Sequence, residues 1–305
     1  MKKSILQVDA FTDIVFGGNP AGVVPNATGL SEMQMQKIAR EMNLSETAFV
    51  IPLENDEADF HVRFFTPTQE VDLCGHATIG TFYALGQKKQ LQKRYEQKIV
   101  FKQKTKAGIL PVEINFQGDE IESIMMTQAK PKFIFEITDL HELAEIMGID
   151  IKDIGLEGYD LLPQAYSTGL PDIMLPVKNL DILKSINPNY EKLALYSNKL
   201  EVIGVHAFTL EAEEETSTLA CRNFAPAAGI NEEAATGTSN GALGAYLANN
   251  DIITLEEEKI LICEQGYYME RPSKIMVKLE GKKKDFIVKV GGKAVIVFEG
   301  MMKYE

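Results

Sequence analysis

The stretch VDLCGHATIG at 71–80 puts Cys74 and His76 two positions apart with Gly75 between them. The chain has only three cysteines and four histidines, so a thiol and an imidazole this close single the stretch out. Three chemistries suit these types: a thiol nucleophile beside a base, a metal site, or a helix mouth that receives an anion. Read as helix, positions i and i+2 do not face each other, which makes a poor nucleophile–base pair and argues against a cysteine hydrolase. The spacing does not match a zinc site, so no metal is expected. What remains is the third reading, with the thiol at a helix N-terminus, where its pKa is lowered.

A second stretch, ATGTSNGALGAYLANN, has the same character, with Thr236, Gly237, Thr238 and Ser239 at the start of an apolar run. A helix N-terminus offers unpaired N–H groups and a partial positive charge. Two such ends facing one another across a domain cleft would hold a carboxylate. Gly75 and Gly237 would let it approach closely, and Thr78, Thr236, Thr238 and Ser239 would add hydroxyls. Glu46, in LSETAFV, stands between a finished helix and an apolar strand. Aimed inward and partly desolvated there, a carboxylate is raised towards the pKa of a useful acid/base. Glu232 and Glu233 precede the second helix, either to complement its dipole or with one of them beside Glu46. Each type also has a bland role: glycine and threonine pack helix against sheet, a lone cysteine fills a core, and a strand-end glutamate is solvated. His61, His141 and His206 have no partners in the pattern and receive no role.

The elements that must position these residues are legible in part. SILQVDAFT reads as a strand and FGGNPAG as a loop. Ser31 and Gln34 form a capping box, followed by Met35, Ile38, Ala39 and Met42 at helical spacing, with Asn43 as the stop. TAFVIPL and FHVRFF read as strands, the latter with Phe60, Val62 and Phe64 on one face. The helix from Cys74–His76 to about Gly86 is apolar nearly all round, as a buried helix is. KIVFKQ, GILPVEI and IESIMMTQ follow as strands, then a helix over 137–148 and a loop from Ile151 to Asp160. DIMLPV, VIGVHAFTL and STLACRNFAP are further strands before the second apolar helix. SKIMVKL, DFIVKV and KAVIVF close the chain, the last two joined by a two-residue turn at Gly291–Gly292. KKKD at 282–285 reads as a solvated hairpin tip. Aligning Gly80 with Gly241 exposes a weak internal repeat, too long in period for a solenoid. Two similar domains are expected, each a sheet around one helix.

Composition narrows the classes. The chain has 305 residues, 45% hydrophobic and 25% charged, as expected of a globular protein of two domains. Its 31 basic and 44 acidic residues give a net charge of −13, against partnership with nucleic acid or an anionic membrane. Lys2 and Lys3 are followed by no apolar h-region, and no apolar run reaches membrane-spanning length. Cys74, Cys221 and Cys263 are odd in number and far apart, which fits a reducing cytoplasm without disulfides.

Taken together, QVDAFTDIVFGGNPAGVV (7–24), SETAFV (45–50), RFFTPTQEVDLCGHATIGT (63–81), STGLPDIMLPV (167–177), RNFAPAAGINEEAATGTSNGALGAYL (222–247), EQGYYMERPSKI (264–275) and VGGKAVIVFEG (290–300) resemble the PhzF-like family. The resemblance covers essentially the whole chain. It implies an α+β, diaminopimelate epimerase-like fold: two pseudo-symmetric domains, each a curved, mostly antiparallel sheet around a central helix. The expected division is 1–120 and 121–292, with a strand near 293–305 returning to the first domain. It implies a cofactor-independent isomerase and a homodimer acting on a small carboxylate-bearing metabolite. The family's catalytic positions fall on Glu46, His76 and Glu233, its glycine on Gly75 and its hydroxyl on Thr238. Gly75, Gly237, Thr238, Ser239 and Cys74 are the expected substrate-binding residues. In racemase relatives a cysteine works where Cys74 stands, opposite a second one; here Ala235 or Thr236 takes that place. Two departures stand out: the usual Glu-Asp-Pro reads Glu232-Glu233-Ala234, and a usual histidine is Asn240. The alternatives are an epimerase or racemase using Glu46 or Cys74, and a catalytically silent binding protein.

Overall fold

The computed structural model describes residues 1–54, 57–88, 91, 97–283 and 285–304. Backbone contacts divide the chain into two units, Met1–Thr127 with Gly291–Glu305, and Gln128–Val290.

The first unit contains β1 (Lys2–Ala10), β2 (Asn19–Val24), α1 (Glu32–Met42), β3 (Glu46–Pro52), β4 (Phe60–Phe65), β5 (Glu70–Val71), α2 (Gly75–Gln87), β6 (Lys98–Thr105), β7 (Gly108–Gln117) and β8 (Glu120–Thr127), together with the final strand of the chain. β1 pairs antiparallel with β2 and with that final strand. β2 runs parallel to β3, and β3 antiparallel to β4. β4 takes β5 antiparallel and β6 parallel, and β6–β7–β8 continue as a meander. α2 packs against β1, β2, β3, β8 and the final strand, which lie at both ends and in the middle of this order, so the sheet curls around the helix. Its residues from His76 to Phe82 are all buried, as its apolar composition requires. α1 instead lies outside the sheet and buries one stripe, Met35, Ile38 and Ala39, against Ile5, Val24, Phe49 and Phe65.

The second unit contains β9 (Lys132–Glu136), α3 (His141–Met147), β10 (Gln164–Ser167), β11 (Pro171–Pro176), α4 (Leu180–Ser185), α5 (Tyr190–Lys199), β12 (Gly204–Thr209), β13 (Leu219–Ala225), β14 (Ile230–Glu233), α6 (Gly237–Asn249), β15 (Glu258–Gln265), β16 (Ser273–Lys282) and β17 (Asp285–Gly292). The final strand is β18 (Ala294–Lys303). Pairing in this unit repeats the first: β10 and β11 antiparallel, β11 and β12 parallel, β12 and β13 antiparallel. β13 then takes β14 antiparallel and β15 parallel, and β15 pairs antiparallel with β16. The central helix occupies the same place in both orders, α2 between β5 and β6 and α6 between β14 and β15. The repeat glimpsed at Gly80 and Gly241 is therefore one of strand order and sense, and both glycines meet their neighbours tightly. A Cβ would come within 3.3 Å of Val8 at Gly80, and within 3.0 Å of Val290 at Gly241.

Two sequence expectations are corrected here. The helix expected over 137–148 begins only at His141, because the Asp139 carboxylate accepts the His141 N–H and the Ile137 N–H is bonded to the Pro163 carbonyl. Gly291 and Gly292 form no hairpin turn. They continue β17, and β18 pairs with β1 instead. A Cβ at Gly291 would fall 1.9 Å from the Ile124 carbonyl oxygen, so glycine is needed for a close backbone approach. In the expected hairpin tip at 282–285, Lys283 is ion-paired with Asp251, and Lys284 lies outside the described residues. Among the described residues no helix is long and apolar enough to cross a membrane.

Candidate active site

Glu46 is the first residue of β3, opposite Ala21 of β2. The chain reaches it through Asn43, whose left-handed backbone (φ 50°) ends α1 and turns the chain into the strand. Its carboxylate oxygen Oε2 lies 3.2 Å from Nε2 of His76, the second residue of α2. The glutamate side chain keeps 20% of its surface exposed and the imidazole 8%, so the carboxylate faces outward from a buried support. The Ser45 hydroxyl is 3.1 Å from the same nitrogen.

The Cys74 sulfur lies 3.4 Å from Nδ1 and 3.9 Å from Nε2, against the face of the ring. This overturns the argument that the i and i+2 spacing keeps thiol and imidazole apart. The argument assumed helical backbone at both positions, but Cys74 is the N-cap, extended at φ −140° and ψ 121°. With its proton on Nε2 the ring faces Glu46 and Ser45, while the sulfur packs against the ring and not along a nitrogen lone pair. Cys74 makes no side-chain capping bond, and its carbonyl accepts the Thr78 N–H. The amides of Gly75, His76 and Ala77 thus head the helix with no acceptor one turn earlier. A Cβ at Gly75 would meet nothing within 4 Å, so packing does not account for glycine there. Thr78 gives its hydroxyl back to the Cys74 carbonyl.

In the second unit, Glu233 ends β14 and its Oε2 accepts the Thr236 hydroxyl at 3.0 Å. Its neighbour Glu232 is held apart by a two-armed ion pair with Arg222. Gly237 and Thr238 open α6, and the Thr238 carbonyl accepts the Thr168 hydroxyl. The turn before them is fixed by Gln265, which donates to the Glu233 carbonyl at 2.7 Å and accepts from the Thr236 N–H and from Asn240. Asn240 also bonds the Thr236 carbonyl at 3.0 Å. The amide at this departure from the family pattern is therefore a brace for the helix start.

Ser239, expected to bind substrate, donates its hydroxyl to the buried carboxylate of Asp172. Sequence reasoning missed Asp172. Burial pushes its pKa up to about 6, against the lowering effect of Ser239, Asn223 and the Gly204 amide. His206, given no role, has a partner after all: its Nδ1 lies 3.2 Å from the Asn223 amide, and burial lowers its pKa to about 3. The one available signal for Asp172 was the match of GLPDIML to GNPAGVV, which sets a carboxylate where the first unit has Ala21.

Comparison with known proteins supplies the remaining findings. The chain matches the family described as phenazine biosynthesis-like protein (PhzC-PhzF) over residues 8–300. It is 39% identical over 302 residues to an isomerase of Clostridium acetobutylicum, covering 98% of this chain and 97% of the other. It is 31% identical over 294 residues to trans-2,3-dihydro-3-hydroxyanthranilate isomerase of Pseudomonas fluorescens, covering 96% of each. The crystal structure of a Bacillus anthracis phenazine biosynthesis protein of the PhzF family superposes with a TM-score of 0.89 at 33% identity, over 100% of both chains. Likeness of fold alone extends to a hydroxyproline epimerase of Agrobacterium vitis, with a TM-score of 0.65 at 13% identity over 99% of this chain and 91% of that one. The fold class is thus the one expected, α+β and diaminopimelate epimerase-like.

Proposed function

The chain belongs to the phenazine biosynthesis-like family and is an isomerase, and from that premise we propose that it moves a proton between carbons of a small carboxylate-bearing metabolite, with Glu46 as acid/base and no cofactor. The observation that carries this reading is the 3.2 Å contact between the partly exposed Glu46 carboxylate and the buried His76 imidazole. A base for carbon must reach the substrate and be held in one orientation, and the imidazole does the holding. Glu46 takes the proton from one carbon as the electron pair moves into the substrate's π-system. It then returns the proton to another carbon, so no redox partner is needed. The amides of Gly75 and His76 at the head of α2 suit the substrate carboxylate or the negative charge that develops. In the second unit, Glu233 is the proposed second acid, and Gly237 and Thr238 the proposed substrate contacts. Cytoplasmic location and homodimeric assembly complete the proposal.

The ring carboxylate and unsaturated ring of dihydrohydroxyanthranilate, the substrate of the Pseudomonas relative, define the class to try first. The replacement of a usual Asp-Pro by Glu233-Ala234 gives reason to widen the panel. The test is proton exchange in deuterated water across a panel of unsaturated and α-substituted carboxylates, followed by NMR. Deuterium appearing at a second carbon together with a shifted double bond supports the isomerase reading. Tight binding without exchange for every member would instead identify a silent binding protein.

One observation favours a second reading. The thiol of Cys74 packs within 3.4 Å of the same His76 ring that holds Glu46. An epimerase using Glu46 or Cys74 would incorporate deuterium only at the carbon whose configuration inverts.

A further inference from the structure

The internal repeat is sharpest just ahead of the two central helices. RFFTP at 63–67 is matched by RNFAP at 222–226. In each unit a glutamate follows, Glu70 or Glu232, five residues before the first residue of the helix, Gly75 or Gly237. We infer that the arginine and glutamate of each repeat are positioning residues: Arg63 with Glu70, and Arg222 with Glu232, form a clamp that fixes the head of the helix that follows. The holding of each head stands by itself; its bearing on substrate rests on the function proposed above.

The two clamps are built alike, atom for atom. Arg63 Nε donates to Glu70 Oε1 at 2.6 Å, and Nη2 to Oε2 at 2.8 Å. Arg222 Nε donates to Glu232 Oε1 at 2.8 Å, and Nη2 to Oε2 at 2.9 Å. Each guanidinium also lies over the phenylalanine two residues on, 5.2 Å from the Phe65 ring centre and 4.8 Å from that of Phe224. Each reaches a further helix as well: Arg63 donates to the Glu32 carboxylate in the first turn of α1, and Arg222 to the carbonyls of Leu183 and Ile186 at the end of α4. The four charged side chains are 7–18% exposed, so water competes little for the fork.

The strands that carry the glutamates need such a support. β5 has two residues and β14 four, so their ladders to β4 and β13 are short. A two-armed arginine–carboxylate bond fixes orientation as well as distance, which a single backbone bridge does not. Between clamp and helix stand Val71–Cys74 in the first unit and Glu233–Thr236 in the second. The one stretch contains Cys74 and the other the proposed acid Glu233, so movement at the clamp carries over to residues of the proposed site.

The test is amide hydrogen exchange of the purified full chain, read by NMR at Thr78 and Asn240. Their N–H groups bond the Cys74 and Thr236 carbonyls and so close the first turns of the two helices. Glu70→Gln breaks the fork and leaves Arg63 its bond to Glu32, while Glu232→Gln leaves Arg222 its carbonyls. Glu70→Gln should speed exchange at Thr78 by about tenfold or more and at Asn240 by about twofold at most; Glu232→Gln should do the reverse. The amides of β3 and β12 are the references, since a merely structural role would speed them by the same factor as the helix head. Should a glutamine variant fail to fold, Glu70→Asp or Glu232→Asp repeats the test, keeping the charge but falling one methylene short of the fork. Acceleration shared by the reference strand or by the other head, or no acceleration at all, overturns the clamp. Once a substrate is found, Glu70→Gln should raise KM by about tenfold and hold kcat, because a loosened head loses binding common to substrate and transition state. An unchanged KM with a loosened head overturns the bearing on substrate alone. Absence of deuterium incorporation into every carboxylate counts against the proposed function and leaves the amide measurement intact.

Discussion

Glu46 Oε2 and His76 Nε2 meet at 3.2 Å, although one begins a strand and the other lies in the first turn of a helix that follows two further strands. β2 and β3 lie between α2 and α1, so the first residue of β3 comes out beside the start of α2. Glu46→Gln keeps the shape and removes the base. General acid–base groups contribute about 10²–10⁴-fold, so deuterium incorporation should fall by that factor. Affinity for a carboxylate ligand should stay equal or tighten, because a repelling charge is gone. Exchange undiminished in this variant rules Glu46 out.

Cys74→Ser separates the two enzymatic readings. If Glu46 is the base, the thiol only packs against the His76 ring, a contact serine makes in weaker form. Exchange should then fall by about tenfold at most, well short of the loss in Glu46→Gln. Equal losses in the two variants would move the assignment to an epimerase that uses the thiol.

The capping box of α1 gives a prediction on stability alone. Ser31 Oγ accepts the Gln34 N–H, and Gln34 Oε1 accepts the Ser31 N–H at 2.9 Å. Ser31→Ala should cost about 0.5–2 kcal/mol in urea unfolding. Both capping bonds lie within the first turn of α1, so exchange activity should hold. An unchanged midpoint would mean that α1 unfolds separately from the remainder of its unit.

How much could be read beforehand follows the range of the interactions. The capping box, the alternation in FHVRFF and the all-round apolar character of α2 and α6 are local patterns, and the structure contains all of them. α4 and α5 leave little periodicity to read, because each is short and buries few residues. Their signal was the capping asparagines, Asn179 accepting the Ile182 N–H and Asn189 the Lys192 N–H. β9 is equally faint in the sequence: its KFIFE leaves most side chains exposed and shows little alternation. At the site, Glu46 and His76 each stand out by type, and nothing in the spacing brings them together. The approach of Cys74 to His76 depends on an extended N-cap backbone, which a helical reading of the stretch misses. The pairing of Ser239 with Asp172 joins a helix to a strand far back in the chain, and no local pattern reports it.

Asp172 supplies a prediction whose sign follows from its burial. The residue is 3% exposed and its carboxyl group has a pKa of about 6, against 3.8 for an ordinary aspartate. Below pH 3.8 folded and unfolded chains are both protonated there, and the group is neutral in its effect. Between 3.8 and about 6 the unfolded chain has lost the proton and the folded chain keeps it, so rising pH favours unfolding. Above 6 a constant penalty remains. The difference of about two units, at about 1.4 kcal/mol each, puts it on the order of 3 kcal/mol. Asparagine has the same shape, can still accept from Ser239 and does not ionise. The stability of Asp172→Asn minus that of the wild type should therefore increase by roughly this amount from pH 4 to pH 7 in urea unfolding. His206 contributes with the opposite sign over nearly the same range, since burial holds it neutral while the unfolded chain protonates it. That contribution is common to both proteins and cancels in the difference. A difference that stays flat from pH 4 to pH 7 would mean that Asp172 ionises as easily inside the fold as outside it, and that its bond to Ser239 is not made in a dry interior.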